Sequence, residues 1–299
     1  MKTRCYINRY ATHEMLGDDL KALIPNVALR RRMSRFVRMG VATAMQCLSS
    51  GVSADRIDAI VTATGWGCLA DSEKFLRNLL EQDEELLNPT PFIQSTFNTI
   101  GAQVALLCSN HSYNMTYVHR GHSFESALLD VVMQFDDATI THALVGAADE
   151  QTPSQHRVME RMGIWRNYID GEGAAFFQLS LLPMDTCRAC IVKVDFPDIL
   201  EELKDQVSAC GGANSTVANQ AGETDGFVTT DSIKSWIKTH YHADQIILGG
   251  GTHRINYPTA SAGRLVEAVQ LIENGARRVA VWNNYIDVQS AVIVVECVG

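Results

Sequence analysis

Apolar positions along the chain alternate between two rhythms. Short unbroken apolar runs read as buried strands, and longer stretches with apolar residues at helical spacing follow them. The run Arg56 to Thr64, RIDAIVTAT, predicts a β-branched buried strand, reached after GVSAD. Asp71 to Leu87 has helical spacing and many charges, and Pro89 and Pro91 terminate it. Phe97 to Cys108, FNTIGAQVALLC, is apolar all round and predicts a buried helix. Thr116 to Val118 predicts a short strand, Ser123 to Phe135 an apolar helix, and Ala143 to Ala147 another strand.

The rhythm continues beyond. Gly171 to Leu182 opens as a turn and becomes a strand that Pro183 ends. A strand at Ile191 to Val194 and a helix at Ile199 to Cys210 precede a Gly-, Asn- and Thr-rich loop, Cys210 to Gly226. A helix at Asp231 to His240, a strand at Gln245 to Leu248 and a helix at Ser261 to Asn274 come next. Strands at Arg278 to Trp282 and Ser290 to Cys297 close the chain. Such alternation implies an α/β fold with mainly parallel, buried sheets.

Composition narrows the function classes. The chain has 299 residues, 46% hydrophobic and 20% charged, which suits a globular protein with a large core. Apolar runs such as Ala291 to Val295 are far too short to span a bilayer, and the N-terminal MKTRCYINRYATHEMLGDDL lacks an apolar signal core. A cytoplasmic protein is expected. A net charge of −9 argues against nucleic-acid binding. The eight cysteines are scattered, so reduced thiols are expected; Cys187 and Cys190 form one CxxC, without a second ligand pair at zinc spacing.

Four motifs carry candidate chemistry. GHSFE, Gly121 to Glu125, begins like a Gly-x-Ser-x-Gly nucleophile elbow, but Glu125 takes the second small position, and Ser123 reads as an N-cap or first-turn residue. LGGGTHRIN, Leu248 to Asn256, follows a strand yet fits neither phosphate-binding glycine pattern, so a tight turn is expected. RRRMSRFVRMG, Arg30 to Gly40, is the one strongly basic patch; helical spacing places Arg31, Arg35 and Arg38 on one face and Met33, Phe36 and Val37 towards the core. That face is either merely solvated or a docking site for an acidic partner. Asp149 and Glu150 end a strand, where structural hydrogen bonds are expected. His111, His119, His122, His142 and His156 lack a metal-site pattern.

The ordered set of segments resembles the β-ketoacyl synthases, condensing enzymes of the thiolase fold. GVSADRIDAIVTATGWG resembles the family's first strand running into a Gly-rich turn, and PTPFIQSTFNTIGAQVALLC its Pro…Phe…Asn…Gly-Ala helix. NMTYVHRGHSFESALLDVV corresponds to the nucleophile strand and helix, ALVGAADE to the Ala-Gly-Gly-Ala-Glu strand, GEGAAFFQLSL to the Gly-Asp-Gly-Ala segment, and ASAGRLVEAVQLI to the Gly-Ala-Ala-Gly helix. The likeness covers nearly the whole chain, with a trimmed second half. It implies a thiolase-like fold: two similar halves, 1–182 and 183–299, in α-β-α-β-α layers.

The departures from the family pattern set the functional expectation. A synthase needs a Cys at the tip of the nucleophile helix, whose N-terminus stabilises the thiolate. Counting along the family pattern puts that position at Tyr117, Val118 or His119. The first family His falls at Gly250, with His253 three residues late, and the second at about Tyr257. The resemblance therefore implies a non-catalytic, chain-length-factor-like subunit for polyketide or fatty-acid-type elongation. Such a subunit forms a dimer with itself or an active synthase, works with an acyl carrier protein, and uses no cofactor or metal. Arg30, Arg31, Arg32, Arg35 and Arg38 are its candidate carrier-docking residues. The wording around Arg30 and Tyr117 most resembles synthase-like proteins of aryl-polyene, flexirubin or dialkylresorcinol pigment clusters. Two alternatives stay open: acyl-transfer chemistry by His119, Tyr117, His253 or Tyr257, and a hydrolase using Ser123.

Overall fold

The computed structural model describes residues 3–17, 20–85, 87–166, 168–185, 187–203, 229–249, 255–286 and 289–298. Its strands are β1 (Cys5–Thr12), β2 (Ala59–Ala63), β3 (Tyr113–Tyr117), β4 (His142–Asp149), β5 (Ile169–Asp170), β6 (Gly173–Ser180), β7 (Ala189–Asp195), β8 (Gln245–Leu248), β9 (Ile255–Asn256), β10 (Arg278–Tyr285) and β11 (Gln289–Cys297). Its helices are α1 (Leu20–Leu23), α2 (Val27–Arg32), α3 (Arg35–Leu48), α4 (Leu69–Glu81), α5 (Pro89–Gln94), α6 (Thr99–Cys108), α7 (Ser123–Asp136), α8 (Pro153–Arg161), α9 (Thr230–Tyr241) and α10 (Ala260–Glu273).

Side-chain alternation along the strands builds the layers. In β2 and β4, Ala59, Val61, Ala143 and Val145 face α7, while Ile60 and Leu144 face α3 and α6 on the other side. In β10 and β11, Val281 and Ile293 face α10, while Trp282 and Val292 face α9. The two long central helices are thus shared filling between two sheet faces, and outer helices cover both far sides. The result is helix, sheet, helix, sheet, helix, the thiolase-like layering expected from the sequence.

Hydrogen bonding runs through one nine-stranded sheet in the order β3-β2-β4-β6-β1-β7-β11-β10-β8. Strand β1 lies mid-sheet, pairing with β6 along most of its length and with β7 through Cys5 to Ile7. The expectation of mainly parallel sheets is corrected. Parallel pairing is confined to β2 with β3, β2 with β4, and β10 with β8; the other large-sheet pairings described are antiparallel. The unbroken apolar runs report burial on both faces, which the helix layers provide whichever way a strand runs.

Local chemistry explains where elements stop. The basic stretch is not one helix: Ser34 caps α3 by accepting from the Val37 N–H, so the chain breaks at Met33 and Ser34. Arg31 consequently lies on a different helix from Arg35 and Arg38, although Met33, Phe36 and Val37 are buried as expected. Helix α4 ends at Glu81, short of Leu87, because Asp83 and Glu84 adopt positive φ of 47° and 66°. The expected loop from Cys210 to Gly226 lies outside the described residues. Among those residues no helix is long and apolar enough to cross a membrane.

Candidate functional site

The junction between β3 and α7 is a sharp elbow. Strand β3 ends at Tyr117, a single 3-10 turn covers Arg120 to His122, and α7 begins at Ser123. Arg120 has φ 54°. The other described non-glycine residues with positive φ follow helices or sit in the β10–β11 turn; Arg120 alone precedes a helix. Left-handed backbone at a residue with a long side chain costs on the order of 1–3 kcal/mol, so surrounding contacts must hold it. Ser123 supplies two: its hydroxyl accepts from the His119 N–H at 2.8 Å and donates to the Arg120 carbonyl at 2.7 Å. Ser123 is thus a first-turn tie, fully buried, as expected from its position.

Neighbouring elements press on the elbow where no Cβ would fit. A Cβ at Gly121 would lie 2.3 Å from Tyr285 Cβ, and one at Gly65 only 2.1 Å from Pro258 Cβ and 3.1 Å from the Arg120 carbonyl. The ends of β2 and β10, together with the segment between β9 and α10, therefore converge on the N-terminus of α7. Strand ends of this kind form the ligand crevices of α/β sheets.

Asp149, at the end of β4, anchors this convergence. Its Oδ1 accepts from the Thr64 hydroxyl (2.8 Å) and the N–H groups of Gly65 (2.9 Å) and Trp66 (2.8 Å). Its Oδ2 accepts from the Thr259 N–H (3.1 Å) and hydroxyl (2.7 Å). Burial raises the Asp149 pKa, against donors that favour the carboxylate. Glu150 accepts from the Ala70 N–H at 2.9 Å, and burial pushes it up to about 7. Both acids make the structural hydrogen bonds that their place at a strand end suggested.

A second buried polar group lies under the elbow. Glu125 Oε1 accepts from Asn283 Nδ2 at 2.9 Å, and the same amide donates to the Gly121 carbonyl at 2.7 Å. Burial raises Glu125 to about 7. The sequence carries a signal for this group, an acid flanked by the apolar face of α7, although Asp130 and Asp136 on the same helix dilute it.

The remaining sequence candidates separate. Val118 is half-buried. Tyr117 and His119 stack edge to face at 5.9 Å, and His119 Nδ1 meets the Ser126 hydroxyl at 3.0 Å, so its near serine is Ser126, not Ser123. Arg120, the residue of positive φ, directly follows the Tyr117–His119 window. Gly250 and His253 lie outside the described residues. Tyr257 lines a groove of about 520 Å³ with His13, Arg264 and Gln270, and burial raises its pKa.

Burial makes poor nucleophiles of the described thiols on these elements. Cys68 is buried at the start of α4 and pushed up to about 12, and burial also raises Cys108. Cys187 and Cys190 are buried where β7 begins, with raised pKa values dominated by burial, and no metal-holding cluster occurs among the described residues.

The expected basic face breaks up. Arg35 makes a bidentate pair with Glu172 at 2.5 and 2.6 Å, and Arg30 donates to the Ile24 carbonyl. Arg38 is half-buried, and Arg31, Arg32 and Arg35 are exposed, Arg35 being held by its carboxylate partner.

Comparison with known proteins adds an independent line. Residues 10–169, over half of the chain, match the family model described as beta-ketoacyl synthase, N-terminal domain. No curated protein sequence matches the chain. Among solved structures, the ishigamide ketosynthase/chain length factor is 13% identical over 99% of this chain and 100% of that one, with a TM-score of 0.69. The AntDE:AntF complex, a type II polyketide ketosynthase with its acyl-carrier protein, is 11% identical over 100% of both chains, with a TM-score of 0.72. The ketosynthase ApeO with its chain length factor ApeC from Xenorhabdus doucetiae is 17% identical over 66% of this chain and 85% of that one, at 0.50. At these identities the likeness is one of fold.

Proposed function

The chain belongs to the β-ketoacyl synthase family, and we propose that it is a non-catalytic, chain-length-factor-like subunit of carrier-protein-based polyketide or fatty-acid-type elongation. One observation carries the reading: the residue held at positive φ in the strand-to-helix elbow is Arg120, whose guanidinium offers only N–H donors and no lone pair to attack a thioester. The elbow around it is packed by Tyr285 and Pro258, and no described thiol lies on this element. The halves are taken as 1–182 and 183–299, each supplying one sheet region and one central helix.

An exposed sheet edge supports pairing with a second subunit. β3 ends the sheet order, and Tyr113 and Met115 are exposed on it. Leu106 on α6 and Met133 on α7 add exposed apolar surface, at 70% and 58%. An unpaired edge beside exposed apolar side chains is a template for strand addition. The proposed partner is an active synthase, with a second copy of this chain as the other occupant. Arg31 and Arg32 are the proposed contacts for an acidic acyl carrier protein. A role in aryl-polyene, flexirubin or dialkylresorcinol pigment synthesis follows only from the sequence resemblance.

Co-expression with a candidate synthase tests this reading. A stable heterodimer that elongates, where neither chain does so alone, is the expected result. Condensation of malonyl units by the isolated chain would replace the proposal with the His119-based alternative. A fluorophosphonate should leave Ser123 unlabelled, since that hydroxyl is buried and already donates to Arg120.

A further inference from the structure

Glu125 is a carboxyl on the inner face of α7 that the proposed role does not use. It is 0% exposed, and its neighbours Phe124, Ala127 and Leu128 are part of the central apolar cluster. Oε1 accepts from Asn283 Nδ2, while the buried Oε2 has no hydrogen-bond partner. Asn283 also donates to the Gly121 carbonyl, and its Oδ1 accepts from Arg264 Nη1 at 3.4 Å. Arg264 donates through Nη2 to the Ile255 carbonyl at 3.1 Å. One amide therefore connects the elbow of the first half to a guanidinium of the second, and from there to the segment leading into α10.

The groups acting on Glu125 are Ser261 and Arg264 from α10, Asn283 from β10, and its own N–H. Only Arg264 carries charge. Ser261 lies beside the carboxyl with a buried hydroxyl that closes no hydrogen bond of normal geometry. Burial favours the neutral carboxyl, while Ser261, Asn283 and the Arg264 guanidinium favour the carboxylate, so the setting holds the two forms close to balance.

We propose that Glu125 is a proton-operated latch between the two halves. Neutral, it steadies Asn283 and through it the Gly121 carbonyl. On releasing its proton to solvent, it draws the Arg264 guanidinium towards itself. The 3.4 Å contact with Asn283 is the longest of this Glu125–Asn283–Arg264–Ile255 series and gives way first, and the hold on the Ile255 carbonyl loosens with it. Ile255, Tyr257 and Arg264 line the 520 Å³ groove, so the latch couples the protonation of α7 to the shape of that groove. Burial places the titration in the neutral range, at about 7.

The inference does not rest on the proposed subunit role and is tested on the full-length chain by amide hydrogen exchange. Between about pH 6 and pH 8.5, after correction for intrinsic exchange, peptides covering 255–261 should lose protection by about fivefold or more in the wild type. Glu125→Gln, which keeps the neutral geometry, should show no such change. Equal pH dependence in both proteins would overturn the latch. Where the amide variant does not fold, infrared titration of Glu150→Gln, which removes the other glutamate raised to about 7, reads Glu125. A protonated-carboxyl band lost near neutral pH is expected, and complete titration of every carboxyl below about pH 5 would overturn the proposal.

Discussion

The two central helices occupy the same layer and are built to opposite plans. α7 and α10 each run for fourteen residues, and both are packed within one apolar cluster. α7 brings two aromatic rings, Phe124 and Phe135, into it, whereas α10 contributes only aliphatic side chains such as Leu265, Val269 and Ile272 beside Ala262 and Ala268. Their N-termini differ more. The start of α7 is tied by its own Ser123, which closes back on Arg120 and His119. The start of α10 is tied from the other half of the chain, by Asp149 holding Thr259. An elbow secured by its neighbours keeps its shape whichever side chain stands at its tip. That independence lets the elbow keep its shape around Arg120, the residue held at positive φ.

The comparison can be broken first at Asp149. Asp149→Ala should destabilise the protein by about 4 kcal/mol or more, because it strands several buried donors at once. Chemical denaturation, or loss of soluble protein, reads this directly. A cost no greater than that of Ser123→Ala would show that α10 does not depend on the cross-half tie.

The next effect is in pH. Glu125 has a raised folded pKa of about 7 against an ordinary 4.5. Below about pH 4.5 the folded and unfolded states are both protonated. Between there and about pH 7 the unfolded chain gives up its proton first, so stability falls as pH rises. The loss is on the order of 3 kcal/mol for this fully buried group and is complete above about pH 7. Unfolding curves across that range should show the slope in the wild type and a flatter profile in Glu125→Gln.

Smaller changes sharpen the picture of the elbow. Gly121→Ala should cost about 1–3 kcal/mol, since the new methyl meets the Tyr285 side chain at 2.3 Å. Ser123→Ala should cost about 1 kcal/mol, the usual penalty for losing a helix-start hydrogen bond. Met115→Lys should leave monomer stability within about 0.5 kcal/mol, as expected of an exposed position. It should nevertheless abolish strand-edge pairing, read by analytical ultracentrifugation of the co-expressed pair.

Much of this fold is legible along the chain, because burial on two sheet faces leaves unbroken apolar runs. The strand at Gln245–Leu248 and the helix at Ser123–Asp136 appear within a residue of their predicted limits. β1 escapes notice because CYINRYAT buries Cys5, Ile7, Ala11 and Thr12 while Asn8, Arg9 and Tyr10 interrupt the pattern. β3 is displaced because Tyr113, Asn114 and Met115 lie exposed on a sheet edge, where hydrophobic patterning carries little information. The hold of Asp149 on Thr259 spans 110 residues, and no local pattern encodes it.

The central claim is that this elbow carries no acyl acceptor. Intact-mass spectrometry of the isolated chain after incubation with an acyl-loaded carrier protein tests it most directly. The account predicts an unchanged mass, and an adduct only on the cysteine of a partner synthase when one is added. A stoichiometric acyl adduct on this chain, mapped to any residue between Tyr117 and Ser126, would contradict it.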